Sequence, residues 1–391
     1  LVLLLPAIVT AATGWLHTDG RWIMDETGQE ARFRGVMTFV WIQNSQEKFN
    51  KIKEAGFNTV RLAIRMDDVE NPGTYTGTER PPAYDRRGLA AIDDAVRFCK
   101  NAGLMVILDQ QLWNESIADP AADVKFFSDP ALQEQWLSFW RLLASRYKNE
   151  STVVGIDLMN EPYAINYTDY AGEITRRLQW EQIVRKAVAE LRPINPNVLF
   201  VVAAWGKKIP AQDYIDFLKT PGIVYTGHIY YEYSIPVPSW AEQWVKDYGS
   251  GNLANATVHF EEYLQRVYGV MLNQGIPVYV GETGFHDTMP NWHAQMEDSL
   301  NTYEKLGLGY TIFVYGVARW HLYYDLVDSN YILTPIGQEI SDYIKSFMGN
   351  PDQSIPGDID SDVDVDVYDL IIVVSDFGKT TGLNNPKSDT N

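Results

Sequence analysis

The chain has 391 residues, of which 46% are hydrophobic and 13% aromatic, enough to bury one large core and to leave a small appendage. The formal net charge of −19 at pH 7 makes nucleic acid and anionic lipid poor partners, because both carry negative charge themselves. Cys99 is the only cysteine, so no internal disulfide can form.

Residues 1–12, LVLLLPAIVTAA, form an apolar stretch that is too short to span a bilayer and that ends in small residues. This pattern predicts a signal peptide, and therefore an extracellular protein without a membrane span. A short buried helix is the alternative interpretation.

Between residues 33 and 316 the chain carries eight short apolar runs rich in Val, Ile and aromatic residues. Their continuous hydrophobicity is typical of parallel strands that are covered by helices. Helical patterns lie between most of them, and one of these begins with Asp129 as a candidate N-cap and Pro130 in the first turn. Eight alternations within about 300 residues predict a closed (β/α)8 TIM barrel over residues 13–349 rather than an open doubly wound sheet. The runs are FRGVMTFV, TVRLAI, MVILDQQ, VVGIDLMN, VLFVVAAW, IVYTGHIYY, PVYVGETG and YTIFVYG.

Two of these runs end in acidic residues. VVGIDLMNEP ends with Asn160 and Glu161, and PVYVGETG contains Glu282 near its end. In a barrel the carboxyl ends of the strands converge on one mouth, so we expect the two glutamates to meet there. Such a pair suits acid-catalysed cleavage of a glycosidic bond, in which one carboxyl donates a proton and the other stabilises or attacks the anomeric carbon.

Three further polar residues occupy the ends of otherwise apolar runs: Arg61 in TVRLAI, and His228 and Tyr230 in TGHIYY. Each on its own could form an ordinary ion pair or be a satisfied polar group of the core. Their common position at predicted strand ends favours a place in the same mouth as the glutamates.

Together these residues resemble glycoside hydrolase family 5, the cellulase-type enzymes of the clan A barrels, and the resemblance extends over roughly residues 20 to 347. It implies that Glu161, in Asn-Glu-Pro, is the acid/base and that Glu282 is the nucleophile. It also implies that Arg61 orients Glu282 and that catalysis needs no cofactor.

The same resemblance implies the roles of three neighbouring residues. Asn160 is expected to bind the sugar 2-hydroxyl, Tyr230 to contact the nucleophile and His228 to line the subsite. Two positions depart from the family pattern. The family's Asp-x-His reads Asp-Gln-Gln here, so Gln111 is expected to alter a sugar contact. The family's strand-eight Trp has either Tyr315 or Trp320 as its counterpart, and the sequence leaves that choice open.

Several tryptophans near predicted strand ends could be platforms on which sugar rings stack. Core packing is the alternative for each of them. The candidates are Trp41, Trp113 and Trp205, together with Trp240 and Trp244 in a long loop after the sixth run.

Carboxyls about 5 Å apart leave no room for a water between nucleophile and sugar, so the expected reaction retains the anomeric configuration. We expect the charge of Glu282 to raise the pKa of Glu161, and Arg61 to keep Glu282 ionised. The predicted activity is that of an endo-acting β-1,4-glucanase on a β-linked polysaccharide. A mannanase, glucomannanase or mixed-linkage glucanase is the alternative, and a non-catalytic sugar-binding barrel is the alternative of another class.

After residue 349 the composition changes. Residues 350–357 are typical of a linker, and the segment 358–391 begins with DIDSDVDVDVYD. This spacing of acids matches an EF-hand calcium loop and resembles one repeat of a dockerin, which implies a cohesin-type partner. A second repeat is missing and Val363 replaces the usual glycine, so a disordered acidic tail is the alternative. The predicted Ca²⁺ ligands are Asp358, Asp360, Asp362, Asp364 and Asp369.

Overall fold

The computed structural model describes residues 14–42, 44–66, 69, 87–112, 125–162, 170–203, 210–231, 241–316 and 324–348. The predicted signal peptide, the linker and the calcium loop lie outside the described residues. The same is true of four of the tryptophans singled out above, namely Trp113, Trp205, Trp240 and Trp320.

The described residues form two sheets. Strands β1 (His17–Asp19) and β2 (Trp22–Met24) pair as an antiparallel hairpin, and eight further strands close into a parallel barrel in the order β10-β3-β4-β5-β6-β7-β8-β9. Each barrel strand coincides with one of the eight apolar runs, so the predicted (β/α)8 barrel is confirmed. The barrel strands are β3 (Arg34–Phe39), β4 (Thr59–Arg65), β5 (Met105–Leu112), β6 (Val153–Asp157), β7 (Leu199–Ala203), β8 (Ile223–Tyr230), β9 (Val278–Gly284) and β10 (Gly309–Ile312).

Helices connect and cover the strands. Asp129 caps the helix that follows β5 by accepting a hydrogen bond of 2.9 Å from the backbone N–H of Ala131, as the sequence predicts. In the described part of the chain no helix is both long and apolar enough to cross a membrane. The helices are α1 (Gln46–Glu54), α2 (Leu89–Ala102), α3 (Pro130–Arg146), α4 (Tyr170–Leu191), α5 (Gln212–Leu218), α6 (Gln243–Ser250), α7 (Leu253–Asn273), α8 (Trp292–Lys305) and α9 (Pro335–Met348).

Buried side chains fall into three clusters. The largest lies between the barrel and its helices and includes Cys99, which is fully buried. A second cluster lies inside the barrel, where Leu16 and Ile23 of the hairpin segment pack with residues such as Val154 near the strand starts. The third cluster is smaller and includes Phe39 at the carboxyl end of β3.

Candidate active site

The site lies at the carboxyl ends of β4, β5, β6, β8 and β9. His228 and Glu282 occupy paired positions on β8 and β9, and the register between these strands shifts between Gly227 and His228. Such an irregularity re-aims the side chains that follow it. The local backbone therefore brings an imidazole beside a carboxylate at the mouth of the barrel.

Glu161 is positioned by the segment that leaves β6. The backbone N–H of Asn160 donates a hydrogen bond of 3.0 Å to the carbonyl of Gln110 at the end of β5. Glu161 itself adopts φ 42°, a left-handed conformation that costs a residue with a Cβ about 1–3 kcal/mol. The surrounding contacts maintain this conformation, and the carboxyl group is thereby fixed towards β8.

The outer layer also holds this segment. The indole N–H groups of Trp136 and Trp140, both on α3, donate to the carbonyl of Leu158 at 3.2 and 3.0 Å. All three residues are fully buried. Because the two donors engage both lone pairs of one carbonyl, the backbone three residues before Glu161 is fixed from outside the barrel.

Three side chains converge at the mouth. The His228 Nδ1 atom lies 2.8 Å from Glu161 Oε1 and 3.7 Å from Glu282 Oε2. One ligand atom from each of Glu161, His228 and Glu282 lies within 4.8 Å of the other two, a set that could hold a metal ion. In the structure these groups contact one another instead, which places the two carboxyls as close neighbours.

Both oxygens of Glu282 have donors. Arg61 Nη1 lies 2.5 Å from Oε1, and the Tyr230 hydroxyl donates to Oε2 at 2.8 Å. The Glu282 side chain is only 6% exposed. Charged hydrogen bonds of this kind stabilise the ionised carboxylate and fix its orientation.

Arg61 is completely buried and contacts several oxygens at once. Besides Glu282 it donates to Asp109 at 2.9 Å, to Asp157 at 3.0 Å and to the side-chain oxygen of Asn160 at 3.1 Å. Burial alone would lower the pKa of Arg61, but the three surrounding carboxylates hold this pKa well above its ordinary value. The guanidinium is therefore a permanent positive charge beneath Glu282.

The pKa of Glu161 differs from the sequence-based expectation. Burial raises this pKa. The hydrogen bond to His228 and the positive charges of His228 and Arg61 together lower it by more, so the pKa lies below its ordinary value. The net direction is therefore opposite to the raised pKa of Glu161 that is expected from the sequence. Burial lowers the pKa of His228, and the charges of Glu282 and Glu161 raise it above the ordinary value overall.

Two groups of site residues were missed by sequence reasoning. Asp157 is an acid inside the apolar run VVGIDL. Its position indicates a buried ion pair only once Arg61 is known to face it. Phe313 and Tyr324 pack edge-on against Tyr230, with ring centroids 6.3 and 5.8 Å away. No sequence signal identified these two rings, because they reach Tyr230 from beyond the end of β10.

Tyr315 does not face the mouth. Strand β10 ends at Ile312, and the backbone of Tyr315 is bonded to β3 through Met37 and Thr38, at 2.9 and 3.0 Å. Its ring is fully buried in the cluster between barrel and helices. The expectation that Tyr315 contacts the substrate is therefore corrected, and Phe313 is the β10-end aromatic that packs next to Tyr230.

Trp41 and Trp244 are corrected in the same way. Trp41 is 1% exposed, because it stacks on Phe39 at 4.7 Å and has the Arg65 guanidinium 4.3 Å from its ring centre. Trp244 is 3% exposed and packs among aromatic rings of the outer layer. Neither indole offers an open face for a sugar in this structure.

Gln111 follows the buried Gln110 near the end of β5. Its side-chain oxygen is buried and has no hydrogen-bond partner among the described residues. A buried acceptor without a donor is costly, so this oxygen is available for a donor supplied by a ligand.

Comparisons with known proteins identify the family of the chain. The family model for cellulase, glycosyl hydrolase family 5, matches residues 24–319. An endoglucanase of Paenibacillus polymyxa is 24% identical over 300 residues, which cover 71% of this chain and 73% of that protein. Cellodextrinase A of Ruminococcus flavefaciens is 23% identical over 286 residues, which cover 70% and 76%.

Among solved structures, an endocellulase of Pyrococcus horikoshii in complex with cellotetraose superposes with a TM-score of 0.65 at 17% identity, over 85% of this chain and 98% of that one. At this identity the superposition supports the fold alone. The family model covers well over half of the chain, and its match coincides with the barrel that holds the two glutamates. The chain therefore belongs to glycosyl hydrolase family 5, the cellulase family, and is an O-glycosyl hydrolase.

Proposed function

We propose that the chain is a retaining, endo-acting β-1,4-glucanase in which Glu282 is the nucleophile and Glu161 the acid/base. The observation that carries this proposal is the approach of the two glutamates, whose carboxylate oxygens lie within 4.8 Å of each other. An inverting enzyme needs about 6.5–9.5 Å between its carboxyls to admit a water, whereas a retaining one needs about 5 Å.

The assignment of the two roles follows from their surroundings. Glu282 accepts hydrogen bonds on both oxygens and lies against a permanent cation, so its carboxylate is fixed in position and direction, as that of a nucleophile must be. Glu161 is the more exposed of the two, with 32% of its side chain accessible. It can therefore reach the oxygen of a leaving sugar at the mouth.

The proton that Glu161 donates is shared with His228. In the unliganded site the imidazolium and the carboxylate stabilise each other, so the pair holds one proton between Nδ1 and Oε1. A sugar oxygen that approaches Glu161 receives this proton as the glycosidic bond breaks. When the covalent intermediate has removed the charge of Glu282, Glu161 accepts a proton from water and the intermediate is hydrolysed.

The substrate class is supported by the relatives, one of which is named an endoglucanase and the other a cellodextrinase. The unpaired oxygen of Gln111 favours a sugar that presents a hydroxyl donor near the cleavage point. A mannanase, glucomannanase or mixed-linkage glucanase is the alternative within the same chemistry. A sugar-binding barrel without turnover is the alternative of another class.

Reducing-sugar release from soluble cellulose, mixed-linkage glucan, mannan and xylan tests the proposal. We expect the highest rate on a β-1,4-glucan, a rapid fall in its viscosity and loss of activity in Glu282→Ala and Glu161→Gln. Glu262→Gln, at an exposed glutamate on α7, is the matched control. Unchanged turnover in Glu282→Ala would contradict the nucleophile assignment, and binding without turnover in wild type would favour the non-catalytic barrel.

Export through the signal peptide and calcium binding by the tail rest on the sequence alone. The measured mass of the mature protein tests the first, since cleavage after residue 12 would shorten it. Calorimetry of the full chain with Ca²⁺ tests the second, because Asp358→Asn combined with Asp369→Asn should abolish the heat. If wild type and variant give equal heat, the disordered acidic tail is the remaining interpretation. A cohesin-type partner would then have no support.

A further inference from the structure

Asp109 and Asp157 form a buried carboxyl pair that the two-glutamate reaction does not use. They occupy paired positions on the neighbouring strands β5 and β6, and their side chains are 0% and 1% exposed. Two negative charges at paired positions repel each other, and burial leaves little solvent to screen the repulsion. Full ionisation of both groups is therefore costly.

The nearby cation cannot neutralise all the acids around it. Arg61 contacts Asp109, Asp157 and Glu282, so these four groups would carry a net charge of −2 if each were ionised. Three other titratable groups act on the pair. The charge of Glu161 acts on Asp109, and the charge of His228 acts on Asp157. Tyr279 of β9 interacts electrostatically with both aspartates.

Each aspartate of the pair has one carboxylate oxygen at which a proton can bind. Asp109 Oδ2 and Asp157 Oδ1 are buried and have no hydrogen-bond partner among the described residues. The Asp157 Oδ2 atom lies 3.0 Å from Arg61 Nε and 2.9 Å from Nη2, whereas Asp109 is bonded to Nη2 alone. Asp109 is thus the less well paired acid, and a buried charge without full pairing tends to be neutralised.

We infer that Asp109 and Asp157 share one proton at neutral pH, held mainly on Asp109, so that Glu282 lies against a cluster of Arg61 and two aspartates with no net charge. Burial also raises the pKa of both aspartates, that of Asp109 well above its ordinary value. The shared proton does not depend on the proposed role of Glu282.

The pH dependence of stability tests the proton without any measurement of turnover. Above the ordinary Asp pKa of 3.8 the unfolded chain releases the Asp109 proton while the folded chain keeps it, so this group costs the wild type stability as pH rises. We expect the Tm of Asp109→Asn to fall less than that of the wild type between about pH 5 and pH 8. Equal changes of Tm in variant and wild type over this range would overturn the inference, because Asp109 would then be ionised in both the folded and the unfolded chain. Asp287→Asn, at an exposed aspartate, is the matched control.

The wild type provides the measurement that does not depend on folding of the variants. In a full chain labelled with ¹³C at the aspartate carboxyls, we expect one carboxyl resonance to remain in the protonated range at pH 7. Its absence would overturn the inference even if cellulose were cleaved as proposed. Its presence in a chain that cleaves no glucan would leave the shared proton intact and contradict the proposed function only.

Discussion

His228 Nδ1 lies 2.8 Å from the carboxylate of Glu161. Burial raises the Glu161 pKa, but this contact and the charges of His228 and Arg61 together set it below its ordinary value. The acid/base candidate is therefore half of a carboxylate–imidazole pair rather than an isolated buried acid. Because the two groups titrate as a pair, the pH dependence of activity depends on the distance between them.

Replacement of His228 by Asn should move the alkaline limb of kcat/KM to lower pH. In the wild type the shared proton is lost only at the raised pKa of His228, whereas in the variant Glu161 holds the proton alone. Burial raises the pKa of that carboxyl from its ordinary 4.5, but the imidazole starts from 6.5 and is raised as well. The profile of initial rate against pH measures this shift. His293→Asn, at a side chain that is 58% exposed, is the control and should leave the limb in place. A limb that stays in place or moves to higher pH would mean that the pair does not hold the donated proton.

The same pair predicts a window of stability. The lowered pKa of Glu161 gives a contribution that is complete above its ordinary value of 4.5 and is lost as pH falls. The raised pKa of His228 gives a contribution to stability that is complete below its ordinary value of 6.5 and is lost as pH rises. The difference in Tm between wild type and His228→Asn should therefore be greatest between these two values, and a difference that does not vary with pH would contradict the ion pair.

Tyr230→Phe removes one of the two donors to Glu282. A hydrogen bond to a charged group contributes about 1.5–3 kcal/mol, so we expect kcat to fall roughly 10- to 100-fold with little change in Tm. The matched control is Tyr315→Phe, whose hydroxyl is buried without a partner among the described residues. A loss of activity in the control equal to that in Tyr230→Phe would reinstate Tyr315 as a substrate contact.

Gly284→Ala tests the packing around Tyr230. A Cβ at this glycine would lie 2.7 Å from Tyr324 Cδ1 and 2.9 Å from Tyr230 Cε1, closer than side chains tolerate, so both rings must shift. We expect kcat to fall more than KM rises. Gly316→Ala is the control, because its Cβ meets only the tip of Ile42 at 3.3 Å. Wild-type kcat in Gly284→Ala would show that the position of Tyr230 does not matter for turnover.

The two indoles on the Leu158 carbonyl should act non-additively. Trp140→Phe or Trp136→Phe alone leaves one donor in place, and each should cost about 1 kcal/mol of unfolding free energy. The double variant leaves a buried carbonyl unpaired and should cost about 1–3 kcal/mol more than the sum. Chemical denaturation of the four proteins measures the cycle, and strict additivity would contradict a shared role.

The barrel was predictable because each of its strands is apolar on both faces. In a run such as VVGIDL this continuous hydrophobicity lies between helical patterns and indicates a buried strand. The indication does not depend on knowing which strands lie next to it. The two glutamates and Arg61 were identifiable for a related reason, since a polar residue at the end of such a run has few structural explanations. These signals are local, so sequence alone carries them.

The rest of the site depends on where the regular strand stops. Beyond Ile312 the alternation of β10 no longer applies, so the sequence does not reveal that Phe313 packs beside Tyr230 while Tyr315 turns to the outer layer. The sign of the Glu161 shift was missed for a similar reason. The choice between Glu282 and His228 as its dominant neighbour depends on distances of 2.8 and 3.7 Å that no sequence pattern encodes.

The left-handed backbone of Glu161 has a practical consequence for engineering. Asn and Gly adopt this conformation more readily than Glu, so either substitution would relax the local chain. A mutant library screened for heat resistance alone would accordingly be drawn towards a position whose carboxyl the proposed reaction requires. Every round of such a screen should therefore include a catalytic readout.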